Sequence, residues 1–393
     1  MPPVAQPDAE QRAILAAVDA AAEPAHALAR WMADHPELSL EEHATSERYR
    51  AHLIALGFRV EAGVAGLPTA FLARRGRDDA PLCAALLAEM DALPGIGHAC
   101  GHNLSGPASL LAAQAVAAVI PDAQVRLLVV GCPAEEIGVG KRRLVEAGVF
   151  AEADVALMAH ASDMRRAHRL FLGNRKVEFV FHGRAAHAAA YPEQGINALD
   201  AVIALFVGVG LLRQQLPRSA RVHGIVTDGG KAPNVIPERA AALFWVRALE
   251  DAVLDDAYAR VVQCAEGAAA ATGARLEMLR GAGESPPMQP NLPLADAYRR
   301  QLALLGLPES DHAPEESIGS SDITHVSRVV PTIHPNFPIG VNLSLHTREF
   351  AEATTRPSGA EGMLEAARAL ALTVLELARS ADTRAAVAAA RPR

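Results

Sequence analysis

Residues 82–103 read LCAALLAEMDALPGIGHACGHN. The first seven are almost continuously apolar, as in a strand covered on both faces. That strand runs into Glu89 and Asp91. Two carboxylates two residues apart at the carboxyl end of a strand point to one side, where open α/β sheets bind their ligands. The stretch closes on His98, Cys100 and His102. A thiol and an imidazole separated by one glycine suit a zinc-like divalent ion, because thiolate and imidazole are its usual ligands and Gly101 lets the backbone bend. Alone, the string also fits a buried cysteine beside hydrogen-bonded histidines.

Reading outward, apolar residues recur at helical spacing over 9–34, and the pattern stops at His35-Pro36. A helix over 40–56 and strands at 59–60 and 69–73 precede the quoted stretch. A buried helix at 104–120, a strand at 125–130, a helix at 141–148 and a strand at 155–158 follow it. This alternation predicts an α/β fold with a doubly wound, mostly parallel catalytic sheet. From 176 the texture changes. Strands at 176–182, 221–227, 240–247 and 275–279 and helices at 196–215 and 251–272 run β-α-β-β-α-β, the split βαβ pattern of an inserted ferredoxin-like α+β domain. Pro286, Pro287 and Pro290 mark the way back. The expected division is 1–175 and 289–393 for the catalytic domain and 176–288 for the insert. A helix over 358–378 closes the fold, with a frayed Ala/Arg-rich tail.

Half of the 393 residues are hydrophobic, 21% are charged and the formal net charge is −8. That balance describes a soluble globular chain and argues against nucleic acid or an anionic membrane surface. Four cysteines in so long a chain are no disulfide scaffold and point to a reducing, cytoplasmic setting. The first twenty residues lack a basic n-region and an apolar core, so no signal peptide is expected. The 104–120 run is interrupted by Ser105, Pro107 and Gln114 and reads as a buried helix, not a membrane span.

Glu135 and Glu136 sit in a Gly-rich turn straight after the 125–130 strand. Adjacent acids repel unless a cation lies near them. A metal would let one bind while the other takes a proton from a metal-activated water. His160 ends the 155–158 strand of the same layer, and His346 lies in its last segment. One thiolate, several imidazoles and one or two carboxylates exceed the needs of one tetrahedral ion, so two ions are expected.

Several strings resemble, over nearly the whole chain, the aminoacylase/carboxypeptidase family of di-metal peptidases: HPELSLEE (35–42), DALPGIGHACGHN (91–103), PAEEIGVGK (133–141), HGRAAHAAAYPEQGINALDA (182–201), GGKAPNVIPERA (229–240), GSSD (319–322) and LHTREF (345–350). They look most like its amidohydrolase branch, which holds indole-acetyl-amino-acid and hippurate hydrolases, p-aminobenzoyl-glutamate hydrolases and β-alanyl-lysine dipeptidases. The resemblance implies that Cys100, His102, Glu136, His160 and His346 bind two divalent ions, manganese or zinc and in some cases cobalt, with Cys100 as the bridge. It implies Glu135 as general base, Asp91 as a residue orienting a ligand, His187 as oxyanion donor and Asn234 as a substrate contact. In many relatives the last two act from a partner's lid, so a homodimer through the inserted domain is expected. Arg247 is a candidate for a substrate carboxylate and equally for a solvated strand end. His98, Lys141 and His325 receive no role.

The reaction implied is hydrolysis of the amide bond of a small N-acyl amino acid or dipeptide. Two other readings stay open on the residues. Cys100 could attack as a thiol nucleophile with His102 as base, or the chain could be a non-catalytic small-ligand-binding relative.

Overall fold

The computed structural model describes residues 6–281, 283–311 and 318–391. The chain divides into two compact units. One comprises Met1–Leu170, Gln289–Ser317 and Ser321–Arg393, the other Phe171–Met288 with Ile318–Ser320. The short segment joins the second unit through local bonds: the Leu172 amide donates to the Gly319 carbonyl, and Ser320 Oγ donates to the Leu172 carbonyl.

In chain order the first unit supplies β1 (Arg59–Ala62), β2 (Phe71–Arg75), β3 (Cys83–Glu89), β4 (Arg126–Cys132), β5 (Val155–Leu157) and β6 (His160–Ser162). The second unit follows with β7 (Gly173–His182), β8 (Arg221–Asp228), β9 (Arg239–Ala248) and β10 (Arg275–Arg280), and the chain returns for β11 (Thr332–Ile333) and β12 (Asn336–Pro338).

The main sheet has the order β1-β2-β4-β3-β5-β11. β3 runs parallel to both neighbours and β11 parallel to β5, whereas β2 is antiparallel to β1 and to β4. Every residue of β3 is buried, which explains why its sequence does not alternate. The helix His102–Val119 packs on β3 and against the helices Ala9–Ala20, Ala22–Asp34 and Pro357–Arg379. Its small residues permit that density. A Cβ on Gly106 would lie 2.1 Å from the Tyr49 hydroxyl and 2.5 Å from the Glu89 carbonyl.

Three features depart from the sequence reading. The 9–34 helix is two helices that meet at Ala21. The tail is not frayed over 381–389, where a helix is capped by Ser380 and Asn291 donates to the Val387 carbonyl. β6 and β12 form a separate two-stranded parallel sheet, so His160 opens its own strand rather than ending β5.

The second unit is one antiparallel sheet of order β10-β7-β9-β8, the strand order of the split βαβ pattern. The helices Ala198–Leu212 and Asp251–Thr272 pack on it and share its core. The segment Ala198–Gln215 is long and apolar enough to cross a membrane by length and composition alone, with 28% of it buried. One face of that helix, with Ala201, Val202, Leu205 and Val209, is core, while Ile203, Val207 and Leu211 stand exposed at four-residue spacing.

Candidate metal centre

The first unit gathers its ligand-type side chains where strands end. Glu89 is the last residue of β3, and Glu135 and Glu136 follow β4. His102 is the first residue of its helix, and His346 precedes the helix Arg348–Thr354. Gly101 turns the chain between Cys100 and His102 at φ +84°, where a Cβ would lie 2.6 Å from that of Ala161. Only glycine meets both demands without strain. Ala134 and His346 also hold positive φ, +57° and +63°. Non-glycine residues stay there only when their surroundings fix them. The Ala134 amide donates to Glu42 Oε1, and the His346 amide donates to the Ala99 carbonyl.

The donor atoms fall into overlapping groups. Cys100, His102 and His160 each bring one atom within 4.8 Å of the others, and so do Cys100, Glu136 and His346. A third group of the same span joins His102, Glu135 and Glu136. Cys100 therefore stands between two histidines on one side and the Glu136–His346 pair on the other. Its Sγ is 3.6 Å from His160 Nε2, and His346 Nε2 is 3.6 Å from Glu136 Oε2. Cys100, His102 and His160 are buried, Glu135 and Glu136 are half-buried, and His346 is exposed at the rim.

Surrounding bonds fix the orientation of each ring. His102 Nδ1 faces the Asp91 carbonyl oxygen at 2.8 Å and the Asp91 carboxylate at 3.2 Å, which leaves Nε2 turned to the centre. His160 Nδ1 faces the Ala161 carbonyl at 2.8 Å, so its Nε2 also turns inward. Asp91 is itself tied down by Ser39 Oγ and by the Glu136 amide, at 2.7 and 3.0 Å. Such outer contacts aim metal-binding imidazoles. His102 Nε2 and Glu136 Oε1 are buried without a hydrogen-bond partner among the described residues. One orphaned imidazole nitrogen and one orphaned carboxylate oxygen, grouped with the Cys100 thiol and His160, fit a divalent ion.

The electrostatics of the cluster agree. Burial holds His160 down to about 4, so its ring is neutral and able to ligate. Burial also pushes the Cys100 thiol well above its usual range. For His102, burial opposes charge, but the carboxylate of Glu89 at 3.4 Å overrides it and holds the ring pKa well above normal. Glu135 is pushed up to about 8 by burial and by the neighbouring carboxylates of Glu89 and Asp322. His98, in the opening string, is buried and held down to about 3 by burial and by His102.

In the second unit, His187 and Asn234 come together. His187 bridges to Val235, and the Ala188 amide donates to the Asn234 carbonyl at 3.0 Å. His187 Nδ1 accepts from the amides of Ala189 and Ala190 at 3.3 and 3.1 Å. With Nδ1 accepting these bonds, Nε2 is the ring nitrogen left to donate. Arg247 is not a solvated strand end. It is half-buried, with its guanidinium 4.9 Å from the Trp245 ring and Nη1 3.4 Å from Ser320 Oγ. Its Nε has no partner among the described residues.

Sequence reasoning assigned no role to three residues of the first unit. His334, buried, stacks on His160 with ring centroids 5.3 Å apart. Lys141 and Asp322 meet in the same neighbourhood. Each had a signal: His334 is polar straight after a strand, and the other two lie in the strings PAEEIGVGK and GSSD.

Among known proteins, one relative decides the family. The chain is 37% identical over 380 residues to an Xaa-Arg dipeptidase from Mus musculus, covering 92% of this chain and 87% of that one. The chain belongs to the M20 peptidase family. Residues 172–272 match the family model described as a peptidase dimerisation domain. One of the p-aminobenzoyl-glutamate hydrolase chains of Escherichia coli is 36% identical over 299 residues, 70% of this chain and 61% of its own. A dinuclear metal-binding peptidase of the M20 family from Bacillus subtilis shares the fold, with a TM-score of 0.71, 24% identity and coverage of 91% and 99% of the two chains. This M20 chain is an enzyme, a hydrolase of the dipeptidase and amidohydrolase kind.

Proposed function

We propose that this M20 hydrolase cleaves the amide bond of a dipeptide or small N-acyl amino acid with two divalent ions and Glu135 as general base. The observation that carries the reading is the position of Cys100, shared by the His102–His160 group and the Glu136–His346 group. Cys100, His102, His160, Glu136 and His346 would hold the two ions, which when bound would polarise a water and the scissile carbonyl. Glu135 Oε2, 4.0 Å from His102 Nε2, takes the proton of the attacking water and passes it to the leaving amine. The Nε2–H of His187 is the donor type that an oxyanion requires, and Asn234 beside it offers a substrate contact. Arg247, held by Ser320 through Nη1, keeps guanidinium N–H groups that could receive a substrate carboxylate. Manganese and zinc both suit the donor set, with cobalt as a third choice.

The thiol-nucleophile alternative, with His102 as base, is disfavoured by the protonated state that burial imposes on Cys100 and by the proton that Glu89 already holds on the His102 ring. Four unpaired cysteines support a cytoplasmic setting. The exposed stripe of Ile203, Val207 and Leu211, together with the dimerisation-domain match, supports a homodimer through the second unit. Sedimentation should give a two-chain species that Val207→Glu with Leu211→Glu converts to one chain. A wild-type protein that stays a single chain at micromolar concentration would overturn the dimer.

The function itself is tested by metal removal. Protein stripped with a chelator should lose turnover of Xaa-Arg and β-alanyl dipeptides, N-acyl amino acids and p-aminobenzoyl-glutamate, and manganese, zinc or cobalt should restore it for one of these classes. Turnover that survives stripping in folded protein would sink the reading.

A further inference from the structure

The mechanism above leaves Lys141 unused. The residue is fully buried, and its Nζ lies 2.6 Å from Glu89 Oε1 and 2.6 Å from Asp322 Oδ1. Its amide also donates to Asp322 Oδ2 at 2.9 Å, so one carboxylate clasps both ends of the same residue. Glu89, Glu135 and Asp322 each place an oxygen within 4.8 Å of the others. Three carboxylates this close, two of them buried and the third half-buried, repel strongly unless a cation sits among them. Here the cation is covalent.

The placement has two consequences. Glu89 has one oxygen on Lys141 and the other 3.4 Å from His102 Nε2, so the lysine decides how far that carboxylate reaches toward the metal centre. The loop carrying Glu135 and Glu136 is closed at its base, where a Cβ on Gly140 would lie 1.6 Å from the Pro133 carbonyl oxygen. Lys141 is the next residue, and it pins the closed end of the loop to the end of β3 and to Asp322.

We propose that Lys141 is a positioning residue whose ammonium fills a third cation position beside the two-ion centre, holding Glu89 out of the ligand set and fixing the loop that carries the general base. The positioning part rests on the hydrolase reading above, whereas the cation pocket does not.

The test is Lys141→Ala, which leaves Glu89 and Asp322 around a space sized for a small cation. Methylammonium in the tens of millimolar should raise its melting temperature by about 2–4 °C, as ligand binding to the folded state does. Tetramethylammonium, too large for the space, should have no effect, and wild type should respond to neither. With the two ions bound, kcat of Lys141→Ala should fall about 100-fold with KM changed less than about threefold, and methylammonium should restore about tenfold of it. Methylammonium that neither stabilises nor reactivates the folded variant overturns the proposal. Stabilisation without reactivation leaves a structural cation and overturns the positioning role. Should Lys141→Ala fail to fold, the isosteric neutral variant Lys141→Met with Glu89→Gln and Asp322→Asn replaces it. Two bound ions with low kcat support the proposal, and wild-type kcat overturns it. If wild type itself takes up no divalent ions, the hydrolase reading fails, and the thermal shift still decides the pocket.

Discussion

Glu135→Gln should keep both divalent ions and lose between about 100-fold and 10,000-fold in kcat, the range that a positioned general base supplies. The amide has the shape of the carboxylate and cannot take a proton. Glu135 is poised for this work by its surroundings: burial and the negative charges of Glu89 and Asp322 push it up to about 8, while Lys141 pulls in the other direction. A raised carboxyl is protonated, and useless as a base, below its pKa. Turnover of the wild type should therefore rise with pH along the acid limb, and bound divalent ions should move that limb to lower pH by favouring the carboxylate. Glu135→Gln should lack the limb altogether. Steady-state kinetics across pH, with metal content measured on the same samples, checks both parts. A variant within about threefold of wild type would remove Glu135 from the role of base.

The second large effect is on metal binding. Cys100→Ala should lose at least one of the two ions, because the sulfur is common to both donor groups. The wild type should bind metal more tightly as pH rises. In the metal-free protein the Cys100 thiol and the His102 ring both have raised pKa values, the first through burial, the second because Glu89 outweighs burial. Both therefore hold protons at neutral pH that a metal must displace. Affinity should climb by about tenfold per pH unit for each proton released. Competition titrations against a chelator at several pH values measure the slope. A slope of zero would mean that neither group ligates.

The sequence carried the parts of the fold with strong periodicity. β3 is legible because a strand buried at every residue shows no polar alternation, and the helix behind it because its run stays mostly apolar despite Ser105, Ser109 and Gln114. The β-α-β-β-α-β order of the second unit reads off directly. β6 and β12 do not, because three-residue strands are too short for any period to show. The helix Ala381–Ala389 is hidden by its alanines, which give no apolar stripe although Val387 is buried.

The metal-type residues of the centre stood out by chemistry, since thiol, imidazole and paired acids at strand ends are poor packing choices. Their sharing around Cys100 is a matter of three dimensions. Lys141 is the opposite case. A lysine after a Gly-rich loop looks like a solvated side chain, and its partners lie 52 and 181 residues away in the chain. The positive φ of His346, which turns its ring toward Glu136, leaves no mark in composition or spacing.

Two ions sharing Cys100 would leave a signature that diffraction can read. A crystal structure of the protein loaded with manganese or zinc, with anomalous scattering collected at the metal edge, tests it most directly. Two peaks about 3.5–4 Å apart are expected, both in contact with Cys100 Sγ, one also touching His102 or His160 and the other Glu136 or His346. A single peak, or peaks that leave Cys100 untouched, would contradict it.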